Sequence, residues 1–209
     1  MRDRPHGRVS RREFIEVCVG LSAPLLLVGC GAGRPGSPSS SAASAQGLEP
    51  TPACGDDPDP TPRQTEGPFY TPRSPERASL LELGTLGTRI VLSGYVLSRA
   101  CEPITHAVLD FWQADDAGVY DNVGYRLRGH QYSDDAGFYR LETVVPGLYP
   151  GRTRHFHVKV QPSSGPPLTT QLYFPDEPRN RTDGIFSPAL LMDIQNAGGG
   201  KSATFNFVV

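Results

Sequence analysis

From about residue 53 to the last residue, short apolar-rich runs alternate with clusters of Gly, Pro, Asn and Asp. Six runs stand out: RIVLSGYVL (89–97), HAVLDFWQA (106–114), GFYRLETVV (137–145), HFHVKVQ (155–161), TTQLYF (169–174) and ATFNFVV (203–209). β-Branched and aromatic residues framed by turn formers predict strands. Alternation puts Phe205, Phe207 and Val209 on one face of the last run, and Val158 and Val160 opposite His155 and His157. The pattern predicts an all-β domain, a two-sheet β-sandwich with long functional loops. The later chain has weak helical periodicity and no internal repeat; SPALLMDIQNAG (187–198) is the one stretch suited to a short helical turn. The turn-rich connections 115–137 and 176–187 exceed the usual loop length, so a functional site is expected on them.

The first 52 residues follow a different pattern. The only long apolar run, Phe14 to Gly29, follows several arginines and is too short for a membrane span, as in an export signal. SRREFIE (10–16) resembles a twin-arginine signal, and LVGC (27–30) resembles a lipobox ending in a lipidated cysteine. These signals predict a Tat-type lipoprotein signal peptide at 1–29, with a lipid on Cys30 anchoring the chain outside the cytoplasm of a bacterium. Residues 30–52, rich in Gly, Ser, Pro and Ala, predict a flexible tether, leaving 53–209 as the folded domain. Of four cysteines, only Cys54 and Cys101 fall in that domain, and an even pair in an oxidising compartment suggests a disulfide. A formal charge of −2 without a basic, aromatic-interleaved cluster argues against a nucleic-acid partner.

Candidate chemistry concentrates in YPGRTRHFH (149–157). Side chains two apart on a strand share a face, so His155 and His157 can bind one metal ion while Phe156 points into the core. An iron(II) facial triad or cupin-like site needs a further carboxylate, but Gln161 stands where a cupin-type glutamate belongs and no histidine follows His157. Tyr149 and Tyr120 are the other candidate ligands, because a trivalent cation strongly favours the phenolate form. Two phenolates and a hydroxide balance the charge of Fe(III), and two neutral imidazoles complete a five-coordinate shell.

TEGPFY (65–70), DFWQADDAGVY (110–120), RGHQYSDDAGFYRLETVVPGLYPGR (128–152), HFH and TTQLYF occur in the order seen in the intradiol ring-cleavage dioxygenases, the catechol, hydroxyquinol and protocatechuate dioxygenases, and the chain resembles that family over roughly 53–209. The resemblance implies Fe(III) held by Tyr120, Tyr149, His155 and His157, with Tyr149 leaving the metal when a small aromatic diol binds to react with O2. It aligns Arg152 and Gln171 with the residues beside the substrate, and Thr65 and Pro68 with the pocket wall. A guanidinium three residues before His155 suits a ring that develops anionic charge. Arg154 and Phe156 depart from the small residue or proline, and the isoleucine, common in the family; alternation turns Arg154 toward a loop or solvent.

Packing is the expected role of Tyr70, Tyr95, Tyr125, Tyr132, Tyr139 and Tyr173, core burial that of Trp112, and surface exposure that of His106 and His130. With 1–52 read as signal and tether, there is no space for the helical dimerisation domain of the family's catechol dioxygenases, so a monomer or loop-mediated dimer is expected. The alternative from another class is a ligand- or carbohydrate-binding lipoprotein on the same sandwich, which fold alone does not exclude.

Overall fold

The computed structural model describes residues 59–209. The described residues all belong to one compact unit. The signal and tether expectations, the lipidation of Cys30 and the position of Cys54 lie outside the described residues.

Among the described residues nine strands form: β1 (Arg89–Leu97), β2 (Val108–Trp112), β3 (Arg128–Tyr132), β4 (Phe138–Val144), β5 (His155–Gln161), β6 (Leu168–Tyr173), β7 (Asp193–Ala197), β8 (Gly200–Thr204) and β9 (Phe207–Val208). One sheet has the order β4-β1-β8-β7, with β9 also pairing β1; the second has the order β3-β2-β5-β6. This is the two-sheet sandwich that the alternation predicts. Leu109, Phe111, Phe156, Val158, Val160 and Leu172 of the four-stranded sheet share one apolar core with Ile90, Leu92, Leu141, Ala203 and Phe207 of the other.

Three segments differ from the pattern. β3 lies inside the stretch read as loop, because RGHQY has no apolar alternation; its ladder with β2 supplies the order that its side chains do not. In 187–198 only Pro188–Leu190 makes a 3-10 turn, after which β7 pairs β8 through a turn at Gly198 and Gly199, both with positive φ. The last run is two strands, since Phe205 and Asn206 leave the ladder between β8 and β9. Phe207 is buried, while Phe205 and Val209 pack against the core from its edge. Cys101 sits at φ +61° in the turn after β1 and is disulfide-bonded.

The crossing from β8 to β9 depends on a glycine. Phe205 N–H donates to the Ser93 carbonyl and Asn206 Oδ1 accepts from Tyr95 N–H, drawing the segment onto β1. A Cβ on Gly94 would lie 1.9 Å from the Phe205 carbonyl oxygen, a backbone atom with no room to yield. Gly94→Ala is therefore expected to destabilise the domain by about 2 kcal/mol or more, read as a lowered midpoint in denaturant unfolding; an unchanged midpoint would show that this crossing yields freely.

Candidate metal centre

The outer face of the four-stranded sheet is also buried. Direct cross-strand pairing places Arg128, Trp112, His157 and Gln171 in one row, with His155 opposite Tyr173 in the next. All six are buried, and loops rather than a third sheet cover them. Residues 65–70 lie over the row: a Cβ on Gly67 would meet His157 Cε1 at 3.4 Å, and Tyr70 packs on Trp112 with ring centroids 4.8 Å apart. Arg128 fastens this cover, its guanidinium donating to the carbonyls of Phe69 and Asp121.

Strand alternation turns both histidines of β5 into this layer, where their Nε2 atoms are 3.1 Å apart. Tyr120, delivered by the loop after β2, brings its hydroxyl to 3.5 Å from His155 Nε2. Phe69 stacks on the Tyr120 ring at 4.5 Å, and the Tyr149 ring stands edge-on to Phe69 at 5.4 Å and to Tyr120 at 5.9 Å. The Tyr149 hydroxyl makes no hydrogen bond to the other three side chains among the described residues.

The electrostatics suit ligation by neutral imidazoles. Burial lowers His155 to about 4, only partly opposed by its hydrogen bond to the Thr153 backbone. His157 is lowered well below the usual range by burial and then by its neighbour His155. A carbonyl only accepts, so His155 Nδ1 carries the proton it donates to Thr153 O at 2.6 Å and its Nε2 presents a lone pair. His157 Nδ1 is buried with no partner. Burial pushes the Tyr120 phenol upward, against the pull of Arg152 and Arg128, so a nearby cation is needed to form its phenolate near neutrality. Among the described residues no three His, Cys, Asp or Glu side chains cluster as a metal site; the groups that meet here are two imidazoles and a phenol. Two facing imidazole nitrogens and a phenol oxygen fit a hard, highly charged cation.

Beside these donors runs a second network. Arg152 Nη2 donates to Gln171 Oε1 at 2.6 Å, and Gln171 Nε2 donates to the Thr65 carbonyl at 2.9 Å. Arg152 Nε donates to Asp183 Oδ2 at 2.8 Å. Tyr173, read as packing, also joins in: its hydroxyl is 3.1 Å from Gln171 Oε1 and 3.5 Å from Arg152 Nη2, and burial raises its pKa to about 12. Thr65 Oγ1 accepts from Gly67 N–H, which shapes the turn carrying Pro68 and Phe69. Arg154 reaches a loop, as alternation suggested: it pairs with Glu177 at 2.6 Å, donates to the Pro146 carbonyl and lies 6.0 Å from the Phe174 ring centroid.

Sequence reasoning missed Phe69, Tyr173 and Asp183. Asp183 had one signal, its place in the long connection 176–187, and Phe69 had its place in TEGPFY; Tyr173 differed in no visible way from a packing tyrosine. His130 is half-buried rather than a surface residue, with Nδ1 within hydrogen-bonding distance of Ser74. Trp112 is buried as expected, but on the outer face, stacked 4.8 Å from His157 with its Nε1 unpartnered.

Known proteins resemble the chain in both sequence and fold. A family model described as Dioxygenase matches residues 65–207. The protocatechuate 3,4-dioxygenase beta chain of Burkholderia cepacia is 33% identical over 119 residues, covering 48% of this chain and 51% of that one. The hydroxyquinol 1,2-dioxygenase of a Rhizobium species is 27% identical over 165 residues, covering 66% and 56%. The chain thus spans about half the length of the curated relatives it matches. Among solved structures, the dioxygenase domain of a dioxygenase–carbohydrate-binding fusion from Streptomyces sp. SirexAA-E is 57% identical, covers 72% of this chain and 98% of that one, and superposes with a TM-score of 0.71. The 3-chlorocatechol 1,2-dioxygenase of Rhodococcus opacus is 25% identical, with coverages of 69% and 70% and a TM-score of 0.65. On its sequence, its sandwich and its matched residues, the chain belongs to the intradiol ring-cleaving dioxygenase family.

Proposed function

We propose that the chain holds Fe(III) between Tyr120, Tyr149, His155 and His157 and cleaves catechol-type rings with O2 between the two hydroxyl-bearing carbons, giving cis,cis-muconate-type diacids. The observation that carries this reading is the convergence of Tyr120 Oη, His155 Nε2 and His157 Nε2 in a buried layer, in a chain of this family. When bound, the ferric ion supplies the charge and electron-accepting capacity that make a chelated aromatic diol reactive toward O2.

The protein's own groups divide the remaining work. His155, locked by the Thr153 carbonyl, and His157, stacked on Trp112, are the fixed ligands. Tyr120, buried under Phe69, is held as firmly. Tyr149 is half-buried and its hydroxyl is tied to none of them, so among the four it would be the ligand freest to be exchanged, and its phenolate would be the base available to a catechol hydroxyl. Arg152 places fixed positive charge where the ring becomes anionic, and Gln171 holds one edge of its guanidinium. Thr65 and Pro68, on the turn over His157, form part of the pocket wall. The loops exclude water, which strengthens each of these charge interactions. With the N-terminal signals, the reading places this activity outside the cytoplasm, lipid-anchored through Cys30, in a monomer or loop-mediated dimer.

The test begins with the purified chain. It is expected to carry about one iron per chain and a visible tyrosinate-to-iron(III) band that shifts with catechol in air as a muconate forms. An iron-free, colourless protein that binds an aromatic or a sugar unchanged would instead establish the binding-lipoprotein alternative. His157→Ala is expected to weaken iron binding at least 10-fold, measured by metal analysis after dialysis against a chelator; full iron and activity in that variant would overturn the ligand set. Arg152→Ala is expected to keep its iron and lower kcat about 100-fold, and unchanged kcat with a raised KM would remove Arg152 from the reaction.

A further inference from the structure

Arg152 cannot orient itself. A long, cationic side chain has many rotamers open to it, and its value beside a developing anion depends on being fixed before the charge forms. In this structure two close acceptors fix it, with the Tyr173 hydroxyl a third, longer contact at 3.5 Å from Nη2. Gln171 Oε1 takes Nη2 at 2.6 Å, and Asp183 Oδ2 takes Nε at 2.8 Å. Bonds to Nε and Nη2 set the guanidinium plane, and Nη1 makes no hydrogen bond among the described residues.

Asp183 is itself built for this task. Its side chain is 2% exposed. Oδ2 also accepts from Thr153 N–H at 2.8 Å and Oδ1 from Ile185 N–H at 3.1 Å, so both oxygens are immobilised by backbone. Burial alone would raise its pKa, but the bonds from Thr153, Ile185 and Arg152 outweigh it and keep the carboxylate ionised. Thr153 also supplies the carbonyl that orients His155, so one turn carries the anchors of both a ligand and the substrate-side cation. The segment bearing Asp183 is tied down next to it, since Asp183 N–H donates to the Arg179 carbonyl and Thr153 Oγ1 donates to Asn180 Oδ1 at 2.6 Å.

We propose that Asp183 is a positioning residue for ring cleavage: it acts through Arg152, holding the guanidinium in one orientation at the substrate site. This deepens the dioxygenase reading and rests on it. Charge and position make opposite demands here. As a bare negative charge beside Arg152, Asp183 weakens the positive field, so its neutralisation would speed the reaction. As a positioning group its loss slows the reaction, because the fixed orientation of Arg152 is lost.

Two measurements decide. In the first, Asp183→Asn, Arg152→Ala and the double variant are compared with the unaltered chain at equal iron content. Asp183→Asn is expected to lower kcat for catechol roughly 10- to 100-fold with KM changed less than about threefold, and the double variant to be no slower than Arg152→Ala alone. Multiplying losses, or an Asp183→Asn variant as fast as the unaltered chain or faster, would overturn the proposal. In the second, hydrogen exchange of the Arg152 Nε–H is followed by nitrogen-resolved NMR in the iron-free protein. It is expected to be at least about 10-fold slower than that of exposed Arg179, and to lose this protection in Asp183→Asn. The unaltered chain alone suffices should the variant not fold, because an unprotected Arg152 Nε–H also overturns the proposal. If the unaltered chain does not cleave catechol, the dioxygenase reading fails and positioning for ring cleavage falls with it; a protected Nε–H would then leave only the Asp183–Arg152 contact standing.

Discussion

A sheet face that is polar and yet buried constrains everything around it. An unsatisfied buried polar group costs about 1–3 kcal/mol, and the outer face of β3-β2-β5-β6 carries Arg128, His155, His157 and Gln171 out of solvent. A second apolar sheet could not cover such a face, because it offers no partners. Loops can, since they bring backbone carbonyls and N–H groups not already committed to ladders. Thr153 O takes His155, Phe69 O and Asp121 O take Arg128, and Thr65 O takes Gln171. The few atoms left over are informative: His157 Nδ1 and Trp112 Nε1 are buried without partners on rings stacked face to face.

The layers on the two faces of the four-stranded sheet therefore follow different physics. Inside, Val158, Val160 and Phe156 interlock with the other sheet through apolar area alone, and a change of shape there is felt as lost packing. Outside, fixed hydrogen bonds decide which way each side chain points. A rigid apolar core beneath β5 is what allows its outward histidines to hold their spacing, and the loops above need only complete their bonds.

This division also explains what could be read in the sequence. β5 was legible residue for residue, because alternation and the His-x-His spacing are local properties of one strand. β3 was not, because its order comes from pairing with β2 rather than from its own composition. The site followed the same rule. His155 and His157 were visible from spacing, and Tyr120, Tyr149, Arg152 and Gln171 from motif order, whereas Asp183 meets Arg152 only through folding across 31 residues. No local pattern marks a carboxylate whose partner is that distant, and Tyr173 looked like any core tyrosine until the cross-strand register placed it opposite His155.

The departure at Arg154 belongs to this same logic. Its neighbour His155 faces the donors, so Arg154 leaves on the other side of β5, where it holds Glu177 and the Pro146 carbonyl at the start of the Tyr149 loop. Arg179 holds the other end through the carbonyls of Tyr149 and Arg152, and Arg152 N–H closes a turn on Tyr149 O. The backbone around Tyr149 is thus bonded on both sides, while its hydroxyl makes no hydrogen bond to Tyr120, His155 or His157. Of the motions by which this phenol could shift, rotation about its own side-chain torsions breaks none of these bonds, whereas displacement of the loop breaks several. A phenol on a braced backbone is suited to moving alone, without carrying Arg152 and its neighbours with it.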